Sequence, residues 1–236
     1  FFKSKIAARV DDPSLTEKLV PSTPIGCKRL CVDTHYYEIY NQAHVSLVDL
    51  SETPITRIEG NAILTGTIRC EVDAIVLATG FDAMTGAVMN IDIRGKNGLS
   101  LQDKWATGPK AYLGLATAGF PNLFLVTGPG SPSVLSNMLP SIEQHVEWIA
   151  SCIEFMDRHQ HRSIDPDRDA EEAWIEHVNE VADTSVYPGC NSWYLGANVE
   201  GKSRVFMPYL GVPPYVEKCD EVVAAGYEGF TLSIAS

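Results

Sequence analysis

The stretch from Val72 to Asp82 (Val-Asp-Ala-Ile-Val-Leu-Ala-Thr-Gly-Phe-Asp) constrains the fold more than any other part of the chain. Residues 74–78 form a continuous apolar run of strand length, with no polar residue alternating in. Such a run suits a strand covered on both faces, as in a parallel sheet flanked by helices. Thr79-Gly80 then lets the backbone turn sharply and approach something bulky, because glycine has no side chain in the way. In open α/β sheets, ligands sit at the carboxyl ends of strands. An ordinary core strand ending in a loop would read the same way.

Composition narrows the class. The chain has 236 residues, 45% of them hydrophobic, which marks a globular protein large enough for one domain or parts of two. Its formal net charge of −12 argues against a general nucleic-acid binder, because an acidic surface repels phosphate backbones. No apolar run approaches the length of a membrane span, so a soluble, cytoplasmic protein is expected. The six cysteines are irregularly spaced and none forms a Cys-x-x-Cys pair, which reads as reduced thiols and makes zinc improbable. The chain opens Phe1-Phe2-Lys3-Ser4-Lys5, with no initiator methionine and no signal-peptide pattern, and reads as starting inside a longer protein.

Periodicity predicts the elements. Residues 1–20 read as helical with a break at Asp12-Pro13, followed by turns to Gly26 and a short helix around residues 36–41. Strands are expected at 44–50, 55–58, 62–64 and 67–70, leading into the run at 74–78. Further strands are expected at 113–116 and 122–127, the second ending in Gly128-Pro129-Gly130-Ser131-Pro132. Helices are predicted at 99–105, 140–158, 165–181 and 212–225, with a terminal strand at 230–234. In the longest helix, Ile142, His145, Val146, Ile149, Ile153 and Met156 recur at helical spacing. His159 and His161 lack a flanking acidic or sulfur ligand at metal spacing and read as solvated; no metal site is expected.

Four motifs, in order, carry a resemblance. They are Lys28-Arg29-Leu30-Cys31-Val32-Asp33-Thr34-His35-Tyr36-Tyr37, Val76 to Asp82, Gly128 to Met138, and Ser192-Trp193-Tyr194-Leu195-Gly196-Ala197-Asn198. Together they resemble the C-terminal part of Baeyer–Villiger monooxygenases, and the resemblance runs from near residue 1 to Phe230. It implies an α/β fold made of two incomplete Rossmann-like domains of a flavoprotein. Residues 1–27 would end a helical insertion, 28–80 would close the NADP-binding domain, and 81–236 would be the C-terminal half of the FAD-binding domain. No Gly-x-Gly-x-x-Gly phosphate loop is present; the nearest cluster, Gly128-Pro129-Gly130, has a proline that removes a backbone donor. A fragment, inactive on its own, is therefore expected.

The resemblance also implies roles. Read without it, Lys28 and Arg29 are solvated cations. With it, Arg29 is the catalytic residue that stabilises the anionic flavin peroxide and the addition intermediate, a task suited to a permanently charged fork of donors. Lys28 would meet the 2′-phosphate of NADPH. Trp193, otherwise a partly buried core tryptophan, would pack and hydrogen-bond at the nicotinamide ribose. Met138, otherwise core filler, would lie at the flavin ring, and Ser133, Val134, Leu135 and Ser136, otherwise a plain turn, would line the ketone pocket. Gly80 and Asp82 would lie at the crossover between the cofactors, with Asp82 helping to set the hinge. The intact protein would use NADPH, FAD and O2 to convert a ketone to an ester or lactone through a flavin C4a-peroxide, with the N-terminal remainder of the same protein as partner. N- or S-oxygenation, and a non-enzymatic remnant, are the alternatives.

Overall fold

The computed structural model describes residues 1–234, and the chain divides into two compact units between Gly80 and Phe81. The first unit opens with helices α1 (Phe2–Ala7) and α2 (Pro13–Leu19). Asp12 caps α2 by accepting the Ser14 N–H at 2.8 Å, and Pro13 occupies the first turn, where its missing N–H costs nothing. A 3-10 turn, Glu38–Asn41, follows, and Asn41 ties it to the segment between α1 and α2 by donating to the Arg9 carbonyl at 2.8 Å. Strands β1 (Ile55–Glu59), β2 (Ala62–Thr65) and β3 (Arg69–Glu71) form an antiparallel meander in that order. Gly60 takes φ +61°, which the two-residue turn between β1 and β2 requires.

Two expected strands of this unit are not formed. Residues 45–49 are irregular, and the run 74–78 forms no ladder. Val76 is 88% and Leu77 77% exposed, so the stretch expected to be doubly covered is open on the surface. The reason is pairing: a buried strand needs neighbours to satisfy its N–H and C=O groups, and the meander does not extend to it. Leu30 and Val32 are likewise uncovered.

The second unit holds a larger core. It contains α3 (Gly86–Met89), α4 (Leu101–Lys104), α5 (Met138–Arg158), β4 (His161–Pro166), α6 (Arg168–Asp183), α7 (Val212–Ala224) and β5 (Phe230–Ile234). Each long helix buries a stripe at helical spacing: Trp148, Cys152 and Met156 on α5; Trp174, Val178 and Ala182 on α6; Tyr215, Cys219 and Val222 on α7. These stripes meet Leu113, Leu115, Ile164 and Phe230 in one cluster. The stripe of α5 is rotated from the expected one, because Trp148 and Cys152 outweigh Val146 and Ile153, which stay exposed. β4 pairs antiparallel with β5, Ile164 opposite Leu232. The strands expected at 113–116 and 122–127 reduce to isolated bridges, Tyr112 with Ala116 and Ala116 with Phe124. These segments are held by turns and side chains, such as Asn122, which accepts the Ile164 N–H at 3.0 Å.

Several buried polar groups of the second unit are paired, while Gln144 Oε1 and His161 Nδ1 are buried without a hydrogen-bond partner among the described residues. Glu171 accepts from Lys104 Nζ at 2.8 Å and from the Ala118 N–H at 2.9 Å. His145 accepts the Thr127 N–H on Nδ1 at 2.8 Å, so its proton sits on Nε2, 2.9 Å from the Tyr215 hydroxyl. Tyr215 then donates to the Leu113 carbonyl at 2.8 Å. Cys31, Cys70, Cys152 and Cys219 are free thiols; Cys27 and Cys190 are not among them, so the expectation of reduced thiols holds for four.

Candidate functional site

Lys28, Arg29 and Gly80 belong to the first unit. Lys28 and Arg29 are exposed in irregular backbone after the turn at residues 25–28, and neither has an ion-pair partner among the described residues. Both cations are therefore open to an anionic group, which suits phosphate or developing oxyanion charge. Gly80 is exposed at φ +83°, with open space where a Cβ would stand.

In the second unit, the turn at residues 81–86 meets Ser133 and the loop that bears Trp193. Asp82 accepts the Gly86 N–H on its carbonyl at 3.1 Å, and a Cβ on Gly86 would stand 2.6 Å from the Asp82 Cβ, so glycine is what lets the turn close. From this turn, Met84 Sδ reaches the Ser133 hydroxyl at 3.9 Å. Ser133 is fully buried, with φ +32°, and opens the 3-10 turn Ser133–Leu135. Ser136 follows, its hydroxyl 3.0 Å from the Ser133 carbonyl and 2.8 Å from the Ser141 hydroxyl. Val134 and Leu135 pack on the main core. Met138 starts α5, half-buried, behind Asn137, which caps the helix by accepting the Leu139 N–H at 3.2 Å.

The other side of the turn meets the loop that bears Trp193. Trp193 opens the 3-10 turn Trp193–Leu195, half-buried against the core, its ring centroid 4.3 Å from that of Tyr194. The loop closes on itself through Gly196 in the left-handed region and through Arg204, which donates to the Gly196 carbonyl at 2.9 Å. It is tied to the turn by Asn198, which donates to the Phe81 carbonyl at 2.8 Å, and by Lys202, which ion-pairs with Asp82 and donates to the Ala83 carbonyl at 3.1 Å. Lys202 and Met84 were not singled out from sequence. A lone lysine in a polar loop carries no pattern, and its partner lies 120 residues away.

The glycine-rich stretch 128–131 is a packing device. A Cβ on Gly114 would stand 2.7 Å from the Ser131 nitrogen, and one on Gly128 2.5 Å from the Gly114 carbonyl oxygen. Trp174 donates to the Gly130 carbonyl at 3.1 Å and Tyr209 N–H to the Ser131 carbonyl at 2.7 Å, which presents residues 133–138 from a fixed base. Among the described residues no cluster of three or more His, Cys, Asp or Glu could hold a metal ion, and no helix is long and apolar enough to cross a membrane.

No family model matches the chain. Curated proteins do. A cyclopentanone 1,2-monooxygenase of Comamonas sp. is 39% identical over 237 residues, 99% of this chain and 43% of that protein. A phenazine N-monooxygenase of Lysobacter antibioticus is 42% identical, over 98% of this chain and 43% of that protein. Among solved structures, an oxidised steroid monooxygenase bound to NADP aligns with a TM-score of 0.88 at 46% identity, covering 99% of this chain and 44% of that one. Other matching structures hold FAD together with NADP. The chain thus spans less than half the length of the relatives it matches and shares their α/β flavoprotein fold over that span. Over 98–99% of its residues the chain is thus similar, at 37–46% identity, to flavin-dependent monooxygenases that include the Baeyer–Villiger enzymes.

Proposed function

We propose that this chain is the C-terminal part of an enzyme that oxidises ketones to esters or lactones with NADPH and O2. The observation that carries the reading is the match across 99% of the chain to ketone monooxygenases. On this reading residues 1–27 end a helical insertion, 28–80 close an NADP-binding domain and 81–236 form half of an FAD-binding domain. The uncovered apolar residues Val76 and Leu77 support a fold completed by further polypeptide of the same protein, since exposed strand-length runs of this kind are costly in water.

When bound, FAD supplies the oxygen-transfer chemistry and NADPH the reducing equivalents. The chain's own residues supply position and charge. Arg29 holds the negative charge that builds on oxygen, a role its open guanidinium suits because it stays protonated at any working pH. Lys28 contacts the 2′-phosphate of NADPH. Trp193 offers one indole N–H and a broad apolar face to the nicotinamide ribose. Met138 fixes the flavin ring edge, and Ser133, Val134, Leu135 and Ser136 shape the ketone pocket. Gly80 and Asp82 mark the passage between the two cofactor regions.

The test has two parts. The purified 236-residue chain should be colourless and leave NADPH unoxidised, because it holds no Gly-x-Gly-x-x-Gly loop; a yellow, NADPH-oxidising preparation would overturn the fragment reading. In the longer protein that contains it, Arg29→Ala should abolish ketone oxygenation while FAD stays bound. Loss of FAD with that change would remove the assigned role. A second reading, N-oxygenation of an aromatic heterocycle, is favoured by the 42% identity to the phenazine N-monooxygenase. Product analysis with a cyclic ketone against a phenazine separates the two.

A further inference from the structure

We propose that Lys202 is a positioning residue that latches the Trp193 loop to the turn at residues 81–86. Three observations converge on it. Lys202 carries its ammonium 120 residues back in sequence to the Asp82 carboxylate and the Ala83 carbonyl. The Lys202 side chain is 14% exposed and that of Asp82 41%, so the ammonium is shielded while the carboxylate stays open to solvent and the pair is partly screened. Asn198 adds a second tie to the Phe81 carbonyl at 2.8 Å.

The loop has little else to hold its tip. Between Gly196 and Ser203 its backbone bonds are local ones, such as Gly196 N–H to the Trp193 carbonyl at 3.0 Å and Lys202 N–H to the Val199 carbonyl at 3.4 Å. Segments with few long-range bonds open at low free energy. The latch therefore decides whether Trp193 is held ready or must be ordered at the moment of binding, a difference felt directly in affinity. The same turn reaches Ser133 through Met84, so one short segment sets the place of both the Trp193 loop and the loop at 133–136. Gly86 is part of the device, since a side chain there would displace Asp82.

The assignment of Trp193 to the nicotinamide cofactor rests on the function proposed above; the latch itself does not. Amide hydrogen exchange on the 236-residue chain, with no cofactor present, tests the latch. Lys202→Met should speed exchange at Leu195, Gly196, Val199 and residue 202 about tenfold, the factor expected on losing one charge-assisted hydrogen bond, while the amides of α5 keep their rates. Lys202→Arg should restore slow exchange, and Asp82→Asn should reproduce the loss in a second variant should Lys202→Met fail to fold. Unchanged exchange in the loop, or equal acceleration throughout α5, would overturn the latch. In the longer protein, Lys202→Met should raise KM for NADPH several-fold, with a smaller change in kcat. Accelerated exchange with an unchanged KM would remove the positioning role. If Trp193→Ala also left KM unchanged, the cofactor assignment itself would be at fault.

Discussion

His145 Nε2 and the Tyr215 hydroxyl stand 2.9 Å apart inside the second unit, joining α5 to α7 at a point with no solvent access. The Thr127 N–H on one side and the Leu113 carbonyl on the other complete a chain of three hydrogen bonds with one consistent direction. Thr127 and Leu113 both carry positive φ, +56° and +55°, so the chain holds two strained loops beside the glycine-rich stretch.

Tyr215→Phe should destabilise the second unit. It leaves the His145 Nε2–H and the Leu113 carbonyl without this partner in a dry site, at a cost of roughly 1–3 kcal/mol. Urea unfolding followed by tryptophan fluorescence would measure it, and an unchanged midpoint would contradict the geometry described.

Burial pushes His145 down to about 4 from 6.5. The folded state therefore resists protonation, while the unfolded chain takes up a proton near the ordinary value. The sign follows: this contribution is fully present well above pH 6.5 and is lost as the pH falls through 6.5 toward 4, by roughly 3 kcal/mol across that window. His145→Gln should flatten this part of the stability curve, and a mutant curve parallel to the original would refute the assignment.

Lys104→Met should cost about 3 kcal/mol, because it strands the Glu171 carboxylate, whose side chain is 2% exposed. Replacing both residues with apolar ones should cost less than the sum of the single changes, and a double-mutant cycle by chemical denaturation reads the difference.

Gly114→Ala should shift the loop at residues 128–131 and lower stability by about 2 kcal/mol, since φ is +69° and a methyl would meet the Ser131 backbone nitrogen at 2.7 Å. Exchange of the Ser131 and Tyr209 amides should quicken. A variant of unchanged stability and exchange would show that the loop yields without cost.

Local pattern made much of this legible. The capped helix at Asp12-Pro13, the β1–β2–β3 meander with its turn at Gly60, and helices α5, α6 and α7 were all marked by periodicity, caps and breakers in the residues themselves. The order of four motifs pointed to the flavin monooxygenase class. Periodicity could not determine whether the run at 74–78 is covered, because coverage depends on what pairs with it, and Val76 stands 88% exposed. It also missed β4, whose six residues alternate weakly and form a strand because β5 lies alongside.

The candidate residues divide in the same way. Lys28, Arg29, Met138, Ser133, Val134, Leu135, Ser136 and Trp193 are named as candidates only through the resemblance carried by the four motifs; without it they read as solvated cations, core filler and a plain turn. That Asp82 meets Lys202, that Asn198 holds the Phe81 carbonyl, and that Met84 touches Ser133 required the folded chain. Sequence by itself determined the long helices and the β1–β2–β3 meander, since those follow from short-range sterics and hydrophobic spacing, and the four motifs carried the resemblance. Only the tertiary structure decided which distant polar groups pair, because that choice is made by the packing that brings residues 82 and 202 to the same place.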